Sequence, residues 1–277
     1  MVYRTECQAK LNLFLAVGPP DASGYHPLRS VFQSISLADR LKVETGVAAT
    51  EFLCNDHTVP KENTLTKALR LFREYTEVPD VRITLDKRIP AQSGLGGGSS
   101  DAGRLIAILH VITGRRLSER EQREIAGAVG SDVPFFLVGG RAQIEGFGER
   151  VMPLDDPDPL PWYVVVRPPF GCSTPEMYRA LDQYERPFLD FGYMPAVNDF
   201  ESVAPWGCLQ LKAALLAQGA VEALLSGSGS AVFGRFDDER AAHSAAEALA
   251  GEGMVWVTQA TTRADFARIE RGASGRG

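Results

Sequence analysis

A glycine-rich segment between a strand pattern and a helix pattern constrains the fold of this chain most strongly. Residues 90–102 read Pro-Ala-Gln-Ser-Gly-Leu-Gly-Gly-Gly-Ser-Ser-Asp-Ala. Residues 81–85 alternate apolar and polar side chains, as a half-buried strand does, and the apolar side chains of residues 105–112 recur on one side of a helix. We therefore expect a strand to lead into a helix through backbone that carries few side chains.

The glycine-rich segment has the properties of a phosphate-binding loop. The glycines at positions 94 and 96–98 let another group approach the backbone closely and permit positive φ. Two serines follow where the helix begins, and the free N–H donors and the dipole of a helix N-terminus favour an anion. The segment lacks the Gly-Lys-Ser/Thr of a Walker A loop, and it is not the dinucleotide fingerprint that opens a βαβ unit. The alternative is a flexible turn with a serine cap, but we predict a phosphate cradle.

The charge balance favours a cradle that depends on backbone groups. The 277 residues include 29 Lys or Arg and 35 Asp or Glu, which gives a net charge of −6. No cluster of basic residues stands out, and a nucleic-acid surface needs one. We therefore expect no nucleic-acid partner, and a phosphate site built from backbone N–H groups and a few cations.

The composition is that of an ordinary globular protein, with 44% hydrophobic and 23% charged residues. No run of about 18 apolar residues occurs, and the first ten residues mix both charges, so we expect neither a membrane span nor a secretory signal. Cys7, Cys54, Cys172 and Cys208 are scattered without a C-x-x-C pair. Scattered thiols favour a reducing cytoplasm and argue against a zinc site.

Residues 153–161 mark the predicted domain boundary. They contain four prolines and three aspartates, although a long loop can have the same composition. We place one domain at residues 1–155 and a second at residues 156–277. Beyond the boundary the patterns indicate strands at residues 162–166, 231–236 and 254–258 and helices at residues 175–181, 209–217 and 239–249. A strand-helix-strand-strand-helix-strand order would be a ferredoxin-like module.

For the ionisable residues Lys10 and Asp132, the sequence allows either a catalytic or a structural role. Lys10 interrupts an apolar strand pattern, so its ammonium either extends along the surface into water or points into a polar cleft. Asp132 stands two residues before Pro134, where a carboxylate can cap a helix or accept a proton from a substrate hydroxyl. Taken singly, these residues leave both alternatives open.

Two further segments place aromatic or small residues in turns. Tyr25 and His26 follow Gly24 in a polar turn, where the rings either pack locally or stack on a planar base. Residues 225–231 read Leu-Ser-Gly-Ser-Gly-Ser-Ala between predicted strands. That segment is either a bulge or hairpin, or a second wall of the phosphate site.

The order of these segments resembles that of the GHMP kinases, the family of galactokinase and of homoserine, mevalonate and phosphomevalonate kinases. The similar segments span nearly the whole chain and are residues 9–15, 21–26, 89–102, 130–136, 171–175, 198–201 and 225–231. The Gly-Tyr-His turn and the Asn-x-x-Glu element at Asn198 and Glu201 are most similar to the branch that phosphorylates a cytidine-diphosphate-linked polyol.

The resemblance implies an α+β protein with the two-domain GHMP kinase fold. Its N-terminal α/β domain would be similar to domain 2 of ribosomal protein S5, and its C-terminal domain would be ferredoxin-like. The resemblance also implies ATP as phosphoryl donor, accompanied by Mg²⁺ for which it nominates no protein ligand. The ATP-binding residues that it implies are Asn63, Pro90, Ala91, Gln92, Ser93, Gly94, Leu95, Gly96, Gly97, Gly98, Ser99 and Ser100.

The same resemblance implies roles for single residues. Asp132 would take the proton of the attacking hydroxyl, and Lys10 would pair with Asp132 and stabilise negative charge. Tyr25 would stack on the cytosine, and His26 would hydrogen-bond to the edge of the base. The remaining substrate-binding residues would be Asn12 near the polyol, with Thr174 and Tyr178 closing the pocket from the second domain.

Asp101 stands where the family usually has Asn or Asp, and its charge would repel phosphate unless it faces away. Two alternatives stay open: another small-molecule kinase of the superfamily, such as mevalonate or homoserine kinase, and a regulatory nucleotide-binding protein that has lost the chemistry. The Tyr25-His26 turn argues against the first, and Lys10 with Asp132 argues against the second. As partners we expect ATP and a small substrate, with no membrane, for a monomer or weak homodimer.

Overall fold

The computed structural model describes residues 1–22, 24–115, 117–192 and 196–273. The strands are β1 (Val2–Val17), β2 (Leu28–Thr45), β3 (Glu51–Cys54), β4 (Val81–Asp86), β5 (Arg141–Gly146), β6 (Arg150–Leu154), β7 (Trp162–Arg167), β8 (Glu222–Leu225), β9 (Val232–Phe236), β10 (Met254–Gln259) and β11 (Glu270–Gly272). The helices are α1 (Thr64–Arg73), α2 (Gly97–Thr113), α3 (Glu119–Val129), α4 (Thr174–Leu181), α5 (Trp206–Ala217), α6 (Glu239–Ala248) and α7 (Arg263–Phe266), with short 3-10 helices at Phe135–Leu137 and Asp199–Val203. Within the described ranges, no helix combines the length and the apolar character needed to span a bilayer.

The first sheet has seven strands within the described ranges and is built on the long strands β1 and β2. Its order is β11-β1-β2-β4-β3, and β5 pairs with both β2 and β6. The first half of β2 pairs with β5 and the second half with β4. The apolar sides of α1, α2 and α3 pack on strand residues such as Tyr3, Leu41 and Ile83. This packing fixes the start of α2 above the sheet.

Local sequence signals set the ends of these helices. Asn63 accepts hydrogen bonds from two backbone N–H groups at the start of α1, and Thr66 completes the capping box. Helix α3 begins in the same way with Ser118 and Glu121. Helix α2 ends at Gly114, whose φ is 65°. Each of these helix ends is therefore set by residues within one turn of it.

The second sheet is ferredoxin-like, as the sequence predicts. Its four strands have the order β10-β7-β9-β8, and every recorded pair in it is antiparallel. Two helices, α4 and α5, separate β7 from β8, and α6 separates β9 from β10. Apolar residues of these helices pack against Val164, Val166 and Phe236 on the sheet.

A shared apolar layer joins the two sheets. Ala9 and Leu11 from β1 belong to one buried cluster with Tyr163, Val165 and Phe233 from the second sheet. Strand β11 returns the chain to the first sheet, where it pairs with β1. The domain boundary near residue 155 stays a prediction, and this return strand means that the end of the described chain contributes to the first sheet.

Candidate active site

A cleft of about 600 Å³ lies where the glycine-rich loop meets β1, α1 and α4. Most of the predicted site residues line it: Lys10, Asn12, Asn63, Pro90, Ala91, Gln92, Ser93, Gly94, Gly96, Gly97, Gly98, Ser99, Asp132, Thr174 and Tyr178. Leu95 and Ser100 are buried outside the lining. Tyr25 and His26 do not line the cleft, but the His26 ring stacks on the lining residue Tyr178. The fold thus gathers in one place residues that are far apart in the chain.

The glycine-rich loop (residues 90–100) turns through left-handed backbone. Gly94 and Gly96 have φ of 76° and 73°, a region that favours glycine. A Cβ on Gly94 would lie 1.9 Å from the carbonyl oxygen of Ser226. Helix α2 begins at Gly97 with Gly96 as its N-cap, so no side chain caps its first N–H groups. The serine-cap alternative is therefore wrong, and the first turn is open to an anion.

The second small-residue loop (residues 225–231) packs directly on the glycine-rich loop. The hydroxyl of Ser226 donates to the carbonyl of Gly94 at 3.0 Å. The N–H of Ala231 donates to the carbonyl of Ser93 at 3.0 Å. The segment joins the antiparallel strands β8 and β9 and is therefore a hairpin loop. Because two other residues of this loop line the cleft, it also forms a wall of the site.

Asn198 and Glu201 hold this second loop from behind. The Asn198 amide donates to the carbonyls of Leu225 and Gly227, at 2.7 and 2.8 Å. Glu201 accepts the N–H of Leu225 at 2.9 Å and pairs with Lys212. The Asn-x-x-Glu element therefore supports the wall of the cleft.

Helix α1 contacts the phosphate loop through Thr64, which the sequence analysis did not single out. The Thr64 hydroxyl donates to the carbonyl of Gly98 at 2.6 Å. The neighbouring Asn63 caps α1 with its side-chain oxygen and donates through its amide to the carbonyl of Pro60 at 2.9 Å. Asn63 thus lines the cleft while its side chain supports the helix.

Lys10 lies in the cleft and is only 3% exposed, so the surface alternative for this residue is wrong. Its Nζ donates to Asn12 Oδ1 at 2.5 Å and lies 3.7 Å from Asp132 Oδ2. The ammonium also lies 4.6 Å from the ring centroid of Phe32. Burial lowers the pKa of Lys10, and the Asp132 carboxylate opposes that change.

Asp132 lies in the turn between α3 and the 3-10 helix Phe135–Leu137. That 3-10 helix has Pro134 as its N-cap and no side-chain cap, so a capping role for the carboxylate is wrong. The Asp132 side chain is 29% exposed and faces Lys10. A partly exposed carboxylate beside a buried ammonium can accept a proton from a ligand hydroxyl.

Below the glycine-rich loop, two buried carboxyl groups surround the ammonium of Lys87. Lys87 Nζ donates to Asp39 and lies 3.1 Å from Asp101 Oδ2. Burial raises the pKa of Asp101 to about 8; Lys87 opposes this change and Asp39 adds to it. Asp101 therefore faces a lysine that the sequence analysis did not connect with it.

The His26 ring is held between the two domains. Its Nδ1 donates to the carbonyl of Gly18 at 2.9 Å. Its ring stacks on Tyr178 of α4, with centroids 4.9 Å apart, and Nε2 lies 3.4 Å from Asp182 Oδ1. A carbonyl can only accept, so Nδ1 carries a hydrogen, while Nε2 faces the Asp182 carboxylate.

The Tyr25 ring stands at the surface and is 68% exposed. It meets the ring of Phe147 edge-on, with centroids 6.3 Å apart. The turn closes through a hydrogen bond from the Asp21 N–H to the Tyr25 carbonyl at 2.8 Å; Ser23 of the same turn lies outside the described residues. One ring face is therefore accessible to a planar ligand.

Helix α4 supplies the wall of the cleft from the second domain. The Thr174 hydroxyl lies 2.8 Å from the hydroxyl of Ser228. Tyr178 packs edge-on against Phe200, with centroids 4.9 Å apart. These contacts fix the side of α4 that faces the His26 ring.

Comparisons with known proteins agree with this arrangement. The family model for the N-terminal domain of GHMP kinases matches residues 63–140, and the model for their C-terminal domain matches residues 209–254. A 4-diphosphocytidyl-2-C-methyl-D-erythritol kinase of Protochlamydia amoebophila is 39% identical over 240 residues, which cover 81% of each chain. The kinase of the same name from Thermus thermophilus is 38% identical and covers 90% of this chain and 93% of its own. The chain belongs to this family of GHMP kinases.

Solved structures of GHMP kinases have the same fold. A crystal structure of 4-(cytidine 5'-diphospho)-2C-methyl-D-erythritol kinase has a TM-score of 0.81 at 34% identity, covering 93% of this chain and 98% of that one. The mevalonate kinase of Methanococcus jannaschii has a TM-score of 0.70 at 13% identity, covering 95% of this chain and 98% of its own, which shows the fold alone. The predicted two-domain GHMP kinase fold is confirmed. As a member of this family the chain is a phosphotransferase with ATP as cosubstrate.

Proposed function

We propose that the chain transfers the γ-phosphoryl group of ATP to the 2-hydroxyl of 4-diphosphocytidyl-2-C-methyl-D-erythritol. This reaction is a step of the non-mevalonate (MEP) route to isoprenoid precursors. The observation that carries the proposal is the Lys10–Asp132 pair, 3.7 Å apart, in the cleft that the glycine-rich loop also lines. The relatives at 38% and 39% identity support the choice of acceptor.

The phosphates of ATP are proposed to bind to the glycine-rich loop and the first turn of α2. The first N–H groups of a helix have no intrahelical acceptor, and the helix dipole favours an anion there. Mg²⁺, when bound with ATP, neutralises charge that develops on the transferring group. The described ranges hold no group of three or more His, Cys, Asp or Glu side chains arranged for a metal. This donor set suits an ion that is held mainly by phosphate oxygens and water.

Asp132 is proposed to accept the proton of the 2-hydroxyl as its oxygen attacks the γ-phosphorus. The new O–P bond forms while the bond to the β-phosphate oxygen breaks, and ADP leaves with that electron pair. Because phosphoryl-transfer transition states are loose, positioning and charge compensation matter more than the strength of the base. Lys10 supplies positive charge near the reacting oxygens, and Asn12 fixes its ammonium.

The cytosine is proposed to stack on Tyr25 and to bind His26 through its edge. The His26 side chain donates to Gly18 through Nδ1, and its Nε2 faces the Asp182 carboxylate, so the edge of the base is proposed to contact His26 beside Asp182. Thr174 and Tyr178 close the same pocket from α4. This assignment gives a role to the exposed Tyr25 ring and to His26, and a substrate without a base would give them none.

The alternative function is that of another GHMP small-molecule kinase, with mevalonate or homoserine as acceptor. Its support is the shared fold at low identity. Neither acceptor carries a base, so neither accounts for the aromatic turn at Tyr25 and His26. We therefore favour the cytidyl substrate.

We further propose a cytoplasmic enzyme that is a monomer or a weak homodimer and has no nucleic-acid partner. The four cysteines are free thiols, which suits a reducing compartment. The net charge of −6 disfavours binding to nucleic acid.

The proposed reaction is tested by incubating the purified protein with ATP, Mg²⁺ and 4-diphosphocytidyl-2-C-methyl-D-erythritol. Phosphorus NMR should show a new monoester signal, coupled to no other phosphate, and carbon NMR should show that carbon 2 carries it. A product phosphorylated elsewhere, or release of phosphate from ATP without a phosphorylated acceptor, would contradict the proposal.

A further inference from the structure

The buried charges beneath the glycine-rich loop do not balance if every group is ionised. The side chains of Asp39, Lys87 and Asp101 are 0%, 10% and 3% exposed. Two carboxylates and one ammonium leave one negative charge in a site that is almost dry. A buried charge without a partner is costly, and protonation usually removes it.

The hydrogen-bond donors around the two carboxyl groups indicate which one holds the proton. Asp39 accepts from the N–H groups of Arg88 and Ile89, at 2.6 and 2.8 Å, as well as from Lys87. Three donors stabilise the charged form of Asp39. In Asp101, Oδ2 lies 3.1 Å from Lys87, whereas Oδ1 is buried and has no hydrogen-bond partner among the described residues. The proton is therefore more stable on Asp101.

The other ionisable groups near this pair do not supply the missing charge. The Arg104 guanidinium, from α2, donates to the hydroxyl of Thr5 and the carbonyl of Arg268 rather than to a carboxylate. Burial raises the pKa of Cys7, on β1, well above its ordinary value, so that thiol stays neutral. Burial also raises the pKa of Cys54, on β3, and Asp56, after β3, is itself an acid. Lys87 is the cation that both carboxyl groups contact.

We infer that Asp101 carries a proton whenever the phosphate loop is ready to bind ATP. The inference rests on the proposed ATP site, because it assigns Asp101 as a positioning residue for that site. Lys87 Nζ lies 2.9 Å from where a Cβ of Gly97 would be, so the ammonium touches the first residue of α2. With the proton in place the group of three is neutral, and the dipole of α2 acts on the triphosphate without an opposing charge.

Loss of the proton places an uncompensated negative charge under the loop. That charge repels a polyanionic ligand, and it competes with the phosphates of the ligand for the Lys87 ammonium. A neutral aspartic acid and an asparagine have nearly the same shape. Asp101→Asn therefore fixes the neutral state, and it allows a direct test.

The test compares KM for ATP from about pH 7 to about pH 9.5 in the wild type, in Asp101→Asn and in the control Asp86→Asn, since Asp101 has a pKa of about 8. Asp86 is a surface aspartate outside the cleft. KM for ATP should rise several-fold with pH in the wild type and in the control, while it stays nearly constant in Asp101→Asn. Parallel rises in all three proteins would overturn the inference.

A second measurement follows the titration of the wild type without nucleotide, so it does not depend on the proposed function, and a variant is needed only to assign the signal. The side-chain carboxyl carbons of aspartate, labelled with ¹³C, are followed by NMR across the same pH range. One buried carboxyl should titrate near pH 8, and its signal should be absent from Asp101→Asn. The inference is wrong if every aspartate signal is already that of a carboxylate at about pH 6. If this titration is seen but ATP does not bind, the proposed function fails and the proton assignment stands.

Discussion

Lys10 and Asp132 form the smallest unit of the proposed chemistry. Removing the carboxylate takes away the proton acceptor and leaves the buried Lys10 ammonium without its nearest counter-charge. Asp132→Ala should therefore lower kcat by about 10²-fold or more, the usual effect of losing a positioned acid or base. Steady-state kinetics give this number, and calorimetric titration with ATP checks that nucleotide binding is kept. The exposed Asp155, outside the cleft, provides the control variant Asp155→Ala.

The two residues should also behave as one unit in a double-mutant cycle. Lys10→Ala alone should lower kcat strongly, because the same reacting oxygens lose their positive charge. The double variant should lose far less than the product of the two single losses. Losses that multiply fully would mean that Lys10 and Asp132 act independently.

Tyr25 carries the prediction on acceptor recognition. Tyr25→Ala should raise KM for the cytidyl substrate by about 10- to 100-fold, since base stacking on an aromatic ring contributes about 1–3 kcal/mol. Tyr25→Phe should change it little, because the ring is kept. The thermal midpoint should hardly move, since the ring is 68% exposed. A rise in KM for ATP alone would place this turn in the donor site.

A substitution of His26 tests recognition of the base less cleanly than a substitution of Tyr25 does. Its ring stacks on Tyr178 and bonds to Gly18, so His26→Ala would disturb α4 as well as the base. The sequence identified residue types suited to the cleft, but not how each is held. The Lys87–Asp101 contact also lies beyond pattern analysis, because it joins two elements only through tertiary packing.

At the scale of elements, the start of α2 is the part of the fold on which ATP binding depends. From the sequence, Gly97→Val is the obvious way to block the loop without loss of stability. In the structure, a Cβ on Gly97 would lie 2.9 Å from Lys87 Nζ and 3.0 Å from Ile89. That variant would therefore disturb the protein itself, and another glycine has to be used.

Gly98 provides the cleaner test of the loop. A Cβ there would approach Thr64 at 3.4 Å and nothing more closely, and alanine favours helix over glycine. Gly98→Ala should raise KM for ATP several-fold, because it adds a methyl group to the cleft lining, while the thermal midpoint stays the same or rises. Gly127→Ala in α3, where a Cβ meets nothing within 4 Å, is the control. Unchanged ATP binding in Gly98→Ala would mean that the loop is a connector.

The elements themselves could be predicted from the sequence where their signals are local. The apolar stripe and the caps of α1 and α3 are carried by residues within a few positions of one another. The division of β2 between β4 and β5, and the return of β11 to β1, could not be predicted. Such pairings join distant segments, and the polar residues of β11 have no strand periodicity.

At the scale of the whole molecule, buried carboxyl groups determine how stability depends on pH. Burial raises the pKa of Asp101 to about 8 and also raises those of Asp199 and Glu222. The folded state then binds more protons than the unfolded state above about pH 4. The stabilisation of the folded state by these groups is therefore fully present below the pKa that they have in the unfolded chain. It is lost as the pH rises through the pKa that they have in the folded protein.

Urea unfolding should accordingly give a larger free energy of unfolding at about pH 6 than at about pH 9. The carboxyl groups with lowered pKa are ionised in both the folded and the unfolded state over this range, so they do not change the comparison; they are Glu44, Asp56, Glu121 and Glu124. In Asp101→Asn, the free energy of unfolding should decrease less between about pH 6 and about pH 9. A stability that rises steadily from about pH 6 to about pH 9 would contradict this account of the buried charges.

The central claim is that one cleft joins an ATP-binding loop to a pocket for a cytidine-linked polyol. It is tested most directly by measuring kcat/KM for phosphoryl transfer from ATP to 4-diphosphocytidyl-2-C-methyl-D-erythritol, mevalonate and homoserine in parallel. The cytidyl acceptor should exceed the other two by about 10⁴-fold or more, because a site built to hydrogen-bond a group discriminates strongly against acceptors that lack it. A comparable or higher kcat/KM for mevalonate or homoserine would contradict the account.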